Sequence, residues 1–441
     1  MTDIKKSKGA GSQTETPLPT QASSASPKPT RGRVDSIDLL RGIVMVIMML
    51  DHTRDFVHYG VLQFDPLDLS KTTTALFLTR WITHFCAPVF VFLAGTGAYL
   101  QFARGKSKRE LSRFLITRGL WLIVLEFTVV RLGAFFSVDP RFFGLVQVIF
   151  VIGVSMIILA ALIHLPLKVV AAFGLLMIAL HNLLDRFSVQ AWQGPQSPVP
   201  SWGAKLWMLL HQPGFFPIGP RFPSPIVFML YPLIPWIGVM AAGYAFGAIY
   251  TKDSQQRKRW LLWIGAIATL LFALIRAIDI YGEPLHWARQ NNVVFTVLSF
   301  VNTTKYPPSL LFLLMTLGPA ILLLFWFESS DRLLGAPAAN PRSVRSRVRE
   351  FFVTFGRVPL FFYLLQWPTA HSISLLLHIL AGKPWRWLLQ TPIGWQYQPG
   401  MGFNLVVVYI CWIAGVLLLY PLCKWFARLK ARRRDWWLSY L

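Results

Sequence analysis

The chain has 441 residues, of which 54% are apolar and only 14% charged, and it contains 18 Trp and 34 Phe. This composition excludes an ordinary soluble domain and predicts a polytopic membrane protein, so the lipid bilayer is an expected partner. The net charge of +24 would suit nucleic acid, but Lys and Arg stand in short segments between apolar runs. We therefore attribute the charge to membrane orientation and expect no nucleic-acid partner.

The two ends of the chain differ in composition from the apolar middle. Residues 1–33 are rich in Ser, Thr, Pro, Gly and Lys and contain no apolar run, which predicts a disordered cytoplasmic tail and not a signal peptide. Residues 34–427 form the predicted transmembrane domain, and residues 428–441 form a short basic cytoplasmic tail. Three cysteines, Cys86, Cys411 and Cys423, lie in apolar runs without metal-ligand or paired spacing, so we interpret them as packing residues.

Apolar runs of membrane-spanning length predict an all-α fold, a polytopic membrane helix bundle of about ten spans. The predicted spans are residues 37–58, 80–102, 116–136, 142–163, 165–184, 226–250, 259–280, 306–328, 351–381 and 403–427.

Lys and Arg are distributed unequally between the two sides that this alternation of spans defines. One side, with both chain ends, receives 29 of the 43, the other side receives 10, and four lie inside predicted spans. Basic residues favour the cytoplasmic side of short loops. The bias predicts a multi-pass protein of the cell (inner) membrane with both termini in the cytoplasm and the long loops 185–225 and 281–305 outside.

The first predicted span carries an unusual set of polar side chains: Asp38, Arg41, Asp51, His52, Arg54, Asp55 and His58. A charged group at bilayer depth costs about 2.5–3.5 kcal/mol on insertion scales, so these groups must face one another, a cavity or a substrate. On one helix Arg41 and His52 point within about 20° of each other and lie about 16 Å apart along the axis. This pattern predicts a functional site, with Arg41 nearer the cytoplasm and His52 in the outer half.

A histidine beside carboxylates is typical of general acid/base chemistry. Asp55 follows His52 by three residues and is the better placed to orient its ring, whereas Asp51 is adjacent but points about 100° away. His84 is predicted level with His52 on the second span, with hydrogen-bonded packing as its alternative role. The alternative for the whole group is an ion-pair cluster that holds the outer end of the helix: Asp51, Arg54, Asp55 and His58.

Several separated motifs resemble one known family. They are VDSIDLLRGIVMVIMMLDHTRDF at 34–56, RWITHFCAPVFVFLAGTGAYL at 80–100, YPLIPWIGVMAAGYAFG at 231–247, NTTKYPPSLLFLLMTLGP at 302–319 and FGRVPLFFYLLQ at 355–366. In this order they resemble the bacterial relatives of the heparan-alpha-glucosaminide N-acetyltransferase catalytic domain. The spacing of Arg41 and His52 is also similar to the arginine-histidine motif of wider membrane acyltransferase families.

The resemblance implies a membrane-embedded acyltransferase. Such an enzyme moves an acyl group, expected to be acetyl, from cytoplasmic acyl-CoA (acetyl-CoA) to a sugar, glycan or similar acceptor on the far side. The resemblance leaves open which of His52, His58 and His84 is the catalytic histidine, and whether Asp55 or Asp51 is the carboxylate that orients it.

Six further residues are candidates for binding the two substrates of such an enzyme. Arg41, Arg357 and Gln366 are candidates for binding the donor, since Arg357 is predicted near the cytoplasmic face where the CoA phosphates would arrive. Arg54, Lys305 and Asn302 are candidates for the acceptor. Two of the basic residues have a structural alternative. Lys305 could be a lysine at a span end that snorkels to the membrane surface, and Arg357 could reflect the ordinary basic bias of cytoplasmic loops.

The runner-up function is a secondary transporter or flippase with an intramembrane Asp/His/Arg relay, and a binding protein without catalysis comes third. We see no internal repeat, which counts against inverted-repeat transporters. No third ligand matches the spacing of His371 and His378, so we expect no metal. A homodimer is compatible with the sequence.

Overall fold

The computed structural model describes Gly9 and residues 34–333, 344–433 and 435–440. The predicted tail 1–33 lies outside these residues except for Gly9. The described residues from Val34 onward form one compact unit. Its last helix extends to Arg432, so the predicted basic tail 428–441 begins inside that helix.

Most of the described chain is helical. The α-helices in the described residues are α1 Asp35–Val57, α2 Thr74–Ile82, α3 Cys86–Ala103, α4 Lys108–Leu125, α5 Arg131–Phe135, α6 Val148–Leu162, α7 Leu167–Leu180, α8 Trp202–Leu210, α9 Leu233–Phe246, α10 Ser254–Ile278, α11 Val293–Val301, α12 Leu310–Leu333, α13 Val344–Arg357, α14 Pro359–Leu380 and α15 Leu405–Arg432. A 3-10 turn, Thr83–Phe85, joins α2 to α3, and a π-helical turn, Glu126–Val130, joins α4 to α5.

Seven helical segments in the described chain are long and apolar enough to cross a membrane: Thr74–Ala103, Leu167–Arg186, Leu233–Thr251, Ser254–Ile278, Leu310–Ser329, Pro359–Leu380 and Leu405–Arg432. The predicted count of about ten is therefore not confirmed. The other three predicted spans correspond to α1, to α4 with α5, and to α6. Charged side chains lower the hydropathy of α1 and α4, and α6 is only 15 residues long.

Helix α1 lies at the centre of the bundle. It packs against α3, α12, α13, α14 and α15, and most of its side chains are buried, including Asp38, Asp51 and Arg54. A helix that is buried on all sides must place its polar groups against other protein groups or a cavity. Asp38, Asp51 and Arg54 therefore lie inside the protein, whereas the Asp55 side chain is 41% exposed.

The predicted ninth span, 351–381, is two helices. Helix α13 ends at Arg357 and α14 begins at Pro359, and between them Val358 has the non-helical angles φ −130° and ψ 50°. Proline disfavours the helical conformation for the residue before it, and it is well suited to the first turn of a new helix. The break follows directly from the Val358-Pro359 dipeptide.

A small three-stranded sheet departs from the predicted all-α fold. Strand β1 (Phe142–Val146) pairs in parallel with β3 (Ile226–Met229), and β2 (Gly214–Pro217) pairs antiparallel with β3. The first residues of two predicted spans, 142–163 and 226–250, are thus strands and not helix. A short apolar run has the same composition in a buried strand as in a buried helix, so its pattern cannot distinguish the two.

Helices α3 and α9 approach each other through glycines. A Cβ atom at Gly95 would lie 2.1 Å from the carbonyl oxygen of Met240, and one at Gly243 would lie 2.1 Å from that of Phe92. Gly97, two residues along α3, has no atom within 4 Å of such a Cβ. Only the first of the two α3 glycines is therefore required by packing.

We expect Gly95→Ala to destabilise the protein by about 1–3 kcal/mol, because the added methyl group must push two helix backbones apart. Gly97→Ala, on the same helix, is the matched control and should leave stability unchanged or slightly higher, since alanine favours helix. Thermal unfolding in detergent measures both. Equal melting temperatures for the two variants would contradict the close α3–α9 contact.

Candidate active site

A cavity of about 300 Å³ lies at the C-terminal end of α1. Its wall is built from α1, α2, the start of α3, the ends of β1 and β3, the segment before α12, and α14. The polar and aromatic groups that line it include Asp51, His52, Arg54, Asp55, Arg80, Gln147, Tyr231, Lys305, Tyr306, Tyr363, Trp367 and Trp395. We call it the central cavity.

Asp51 is the most heavily ion-paired group of the central cavity. Arg80 Nη1 donates to both of its carboxylate oxygens, at 2.8 and 2.6 Å. Arg54 Nη2 lies 2.9 Å from Oδ1, and Lys305 Nζ lies 4.0 Å from Oδ2. Because its oxygens already face three cations, Asp51 joins α1 to α2 and to the segment before α12.

His52 faces the central cavity beside Asp55. Its Nδ1 atom lies 3.8 Å from Oδ2 of Asp55, which is longer than a hydrogen bond, and it has no hydrogen-bond partner among the described residues. The imidazole packs on the Trp367 ring, with 3.7 Å between centroids. The ring is thus held on one face and retains a nitrogen beside a carboxylate, the arrangement that general base chemistry needs.

Asp55 is bound to Arg54 as well as lying near His52. Arg54 Nη2 donates to Asp55 Oδ1 at 2.5 Å, and the Asp55 side chain is 41% exposed. Asp55 is therefore the carboxylate that the structure places closest to His52, as helical spacing predicts, while Asp51 is occupied by arginines.

The other two candidate histidines lie outside the lining of the central cavity. His58 accepts a hydrogen bond from the Gly60 amide at 3.1 Å and lines a separate cavity of about 50 Å³. His84 is fully buried in the turn between α2 and α3, with its ring centroid 5.2 Å from that of Phe312. Of the three, only His52 lines the central cavity.

The segment before α12 carries Lys305 to the central cavity. The buried carboxylate of Glu283 accepts hydrogen bonds from the Thr304 amide at 3.0 Å and from the hydroxyls of Thr304 and Ser309, each at 2.5 Å. These bonds fix the chain on both sides of Lys305. Asn302 donates from its side chain to the carbonyl oxygen of Leu67 at 3.3 Å and does not line the cavity.

The three candidate donor-binding residues are not gathered around the central cavity. Arg41 Nη1 lies 3.3 Å from Asp38 Oδ1 and 3.4 Å from the carbonyl oxygen of Gly356. Arg357 is exposed at the end of α13, and Gln366 is fully buried on α14. Their roles in donor binding stay predictions.

Comparison with known families agrees with the sequence motifs. The model of the heparan-alpha-glucosaminide N-acetyltransferase catalytic domain matches residues 33–281, which is more than half of the chain. This chain belongs to the heparan-alpha-glucosaminide N-acetyltransferase catalytic family. A search of curated proteins found no match. The matched range includes His52, the Asp51–Arg80 pair and the two strands that border the central cavity.

Two side chains that line the central cavity, Arg80 and Trp367, are not predicted from the sequence. Arg80 is the first residue of the predicted span 80–102. Trp367 comes directly after the motif at 355–366. The signal for Arg80 was present in the charge balance, because a buried carboxylate such as Asp51 requires a cation. Trp367 carried no comparable signal, since tryptophan is frequent throughout this chain.

No cluster of three or more His, Cys, Asp or Glu in the described part of the chain is arranged to hold a metal ion. His371 lies between the rings of Phe56 and Phe136, at 4.6 and 4.0 Å between centroids. His378 accepts a hydrogen bond from the Gly402 amide at 3.2 Å. The contacts of these two histidines are those of packing residues.

Proposed function

We propose that this protein is a membrane acyltransferase that moves an acyl group, acetyl in the first instance, from acyl-CoA to a hydroxyl or amine of a sugar or similar acceptor. The family supplies the reaction class. The observation that carries the proposal for this chain is the placement of His52 in the central cavity, beside a carboxylate and against Trp367.

In the proposed reaction the acceptor gives a proton to His52 as its oxygen or nitrogen attacks the thioester carbonyl carbon. The C–S bond then breaks, the acyl group stays on the acceptor, and the leaving CoA thiolate takes the proton back from His52. Asp55 stabilises the imidazolium form of His52. The oxyanion of the tetrahedral intermediate needs a positive or hydrogen-bonding neighbour, and Arg54 and Lys305 are the candidates that line the same cavity.

The donor is proposed to approach from the cytoplasm. The separation of Arg41 from His52, about 16 Å along α1, suits a donor whose charged part stays near one membrane face while its thioester reaches the other half. Helices α1 and α13 are in backbone contact beside Arg41, where a Cβ atom at Gly42 would lie 1.8 Å from the Phe352 carbonyl oxygen. A donor route along this side therefore requires α13 to move.

The proposal is tested by acyl transfer across a bilayer. Purified protein is reconstituted into liposomes that enclose glucosamine, and acetyl-CoA labelled in the acetyl group is added outside. We expect labelled N- or O-acetylated sugar inside, at a rate far above that of protein-free liposomes. Release of free acetate alone, or no product from folded protein with any of a panel of amino, neutral and anionic sugars, would contradict it.

The predicted orientation has its own test. Gln196 and Lys252 are both exposed, in segments predicted to lie outside and inside the cell, while the three native cysteines are buried. A membrane-impermeant maleimide should label Gln196→Cys but not Lys252→Cys in intact cells, and should label both after permeabilisation. The opposite pattern would reverse the proposed topology.

A further inference from the structure

Helix α8 has the reverse of the polarity that is usual for a helix facing water. Its one charged side chain, Lys205, is buried and donates from Nζ to the carbonyl oxygens of Ile218 and Gly219, at 3.2 and 2.7 Å. Trp202 and Leu206 are four residues apart, on one face of the helix, and are 68% and 55% exposed. A surface helix in water places its apolar side chains inward and its charged ones outward. The outer face of α8 therefore suits an apolar surrounding.

The segment that precedes α8 in the chain has a large uncovered apolar surface. Leu167–Arg186 is long and apolar enough to cross a membrane, and only 17% of its apolar window is buried inside the protein. Its exposed side chains include Leu175, Leu176 and Leu180, and Phe187, directly after the segment, is 60% exposed. A span whose apolar side chains are left uncovered faces lipid.

Two contacts hold α8 at the end of this span. Trp207 Nε1 donates to the carbonyl oxygen of Phe187 at 3.0 Å, and the two rings meet edge to face, with 6.3 Å between centroids. His211, the residue after α8, lies 2.8 Å from Asp185 Oδ1 through its Nε2 atom. The exposed face of α8 thus continues the uncovered surface of the span at the level where the span leaves the bilayer. Tryptophan beside apolar side chains is typical of helices in that interfacial layer.

We infer that α8 is an interfacial helix, which lies along the bilayer surface with Trp202 and Leu206 inserted among the acyl chains of one leaflet. The partner of this face is lipid, and the inference does not depend on the acyl-transfer reaction. On the opposite face, Met208 lies against β2, since a Cβ atom at Gly214 would be 2.7 Å from its sulfur. Strand β2 pairs with β3, and Leu230, directly after β3, lines the central cavity. Through α8 the bilayer therefore supports one wall of the central cavity.

Spin-label accessibility in the full-length protein tests the inference. Leu206→Cys carries a nitroxide label, since the three native cysteines are buried, and the protein is reconstituted into phosphatidylcholine liposomes. Power saturation compares collisions of the label with oxygen, which concentrates in the bilayer, and with a nickel chelate, which stays in water. We expect the ratio of oxygen to chelate collisions at Leu206 to be about fivefold higher than at a water-facing position. Trp202→Cys, on the same face, should give the same result.

Two reference positions make the result specific. Gln196→Cys is the water-facing control, since Gln196 is exposed in the same loop 185–225, and Leu176→Cys is the lipid-facing reference on α7. A label at Leu206 that meets the chelate as readily as the label at Gln196 would show a helix in water and would overturn the inference. Labels at Trp202 and Leu206 that neither reagent reaches would show a face covered by a second copy of the protein, which would overturn it as well. The measurement needs no turnover, so its outcome is independent of whether acyl transfer is observed.

Discussion

Replacing His52 by alanine is expected to lower the rate of acyl transfer by about 10²- to 10⁴-fold, the usual contribution of a general base. The protein should remain folded, because the Nδ1 atom of His52 makes no hydrogen bond in the described structure. The loss should fall mainly on kcat, with little change in KM for the acceptor, since the proton is transferred only in the transition state. Single-turnover measurements with labelled acetyl-CoA separate the two effects.

His58→Ala is the matched control for this experiment. His58 lies at the same end of α1, but it lines the smaller cavity, and its side chain accepts a hydrogen bond from the Gly60 amide. We expect its turnover to be close to that of the wild type. If His58→Ala lost activity and His52→Ala kept it, the catalytic role would belong to His58 and the central cavity would lose its assignment.

Replacing Asp51 by asparagine is expected to destabilise the folded protein strongly. Asp51→Asn should lower the free energy of unfolding by about 3–5 kcal/mol, because it removes the charge that compensates Arg80, whose side chain is only 12% exposed. Arg80 would keep its full charge with a neutral amide as neighbour, while Arg54 would still have Asp55. Equilibrium unfolding in mixed micelles measures the difference.

A double change tests whether the loss comes from the pair itself. Asp51→Asn combined with Arg80→Gln should be more stable than Asp51→Asn alone, since neither partner is then a buried unpaired charge. Arg141→Gln is the surface control, because Arg141 is 74% exposed in its pair with Asp139, and its melting temperature should equal that of the wild type. Additive losses in the double variant would show that Asp51 and Arg80 do not depend on each other.

The part of the site that lies on one helix was predictable. Helical periodicity fixes the relation between His52 and Asp55, and the cost of charge in a membrane indicates that the polar groups of α1 face one another or a cavity. The family motifs identify the reaction class. These inferences need only local geometry or a sequence pattern.

Contacts between distant segments were not predictable in the same way. Lys305 and Trp367 are more than 250 residues from His52 in the chain, and only the packing of α12 and α14 against α1 brings them to it. Strands β1 and β3 are predicted as the first residues of two membrane spans, because their apolar composition suits a buried strand and a buried helix equally. The break at Val358, in contrast, has a local signal in the sequence, because Pro359 follows it.

We propose that acyl transfer takes place in the central cavity, beside His52. An acyl-CoA with a photoreactive diazirine in its acyl chain, activated in the presence of the reconstituted protein and followed by peptide mass spectrometry, tests it most directly. We predict covalent labelling of residues that line the central cavity, such as Met48, Trp367 and Trp395, and loss of that labelling when acetyl-CoA is added in excess. Labelling that acetyl-CoA displaces but that lies only on peptides remote from this cavity would contradict the claim.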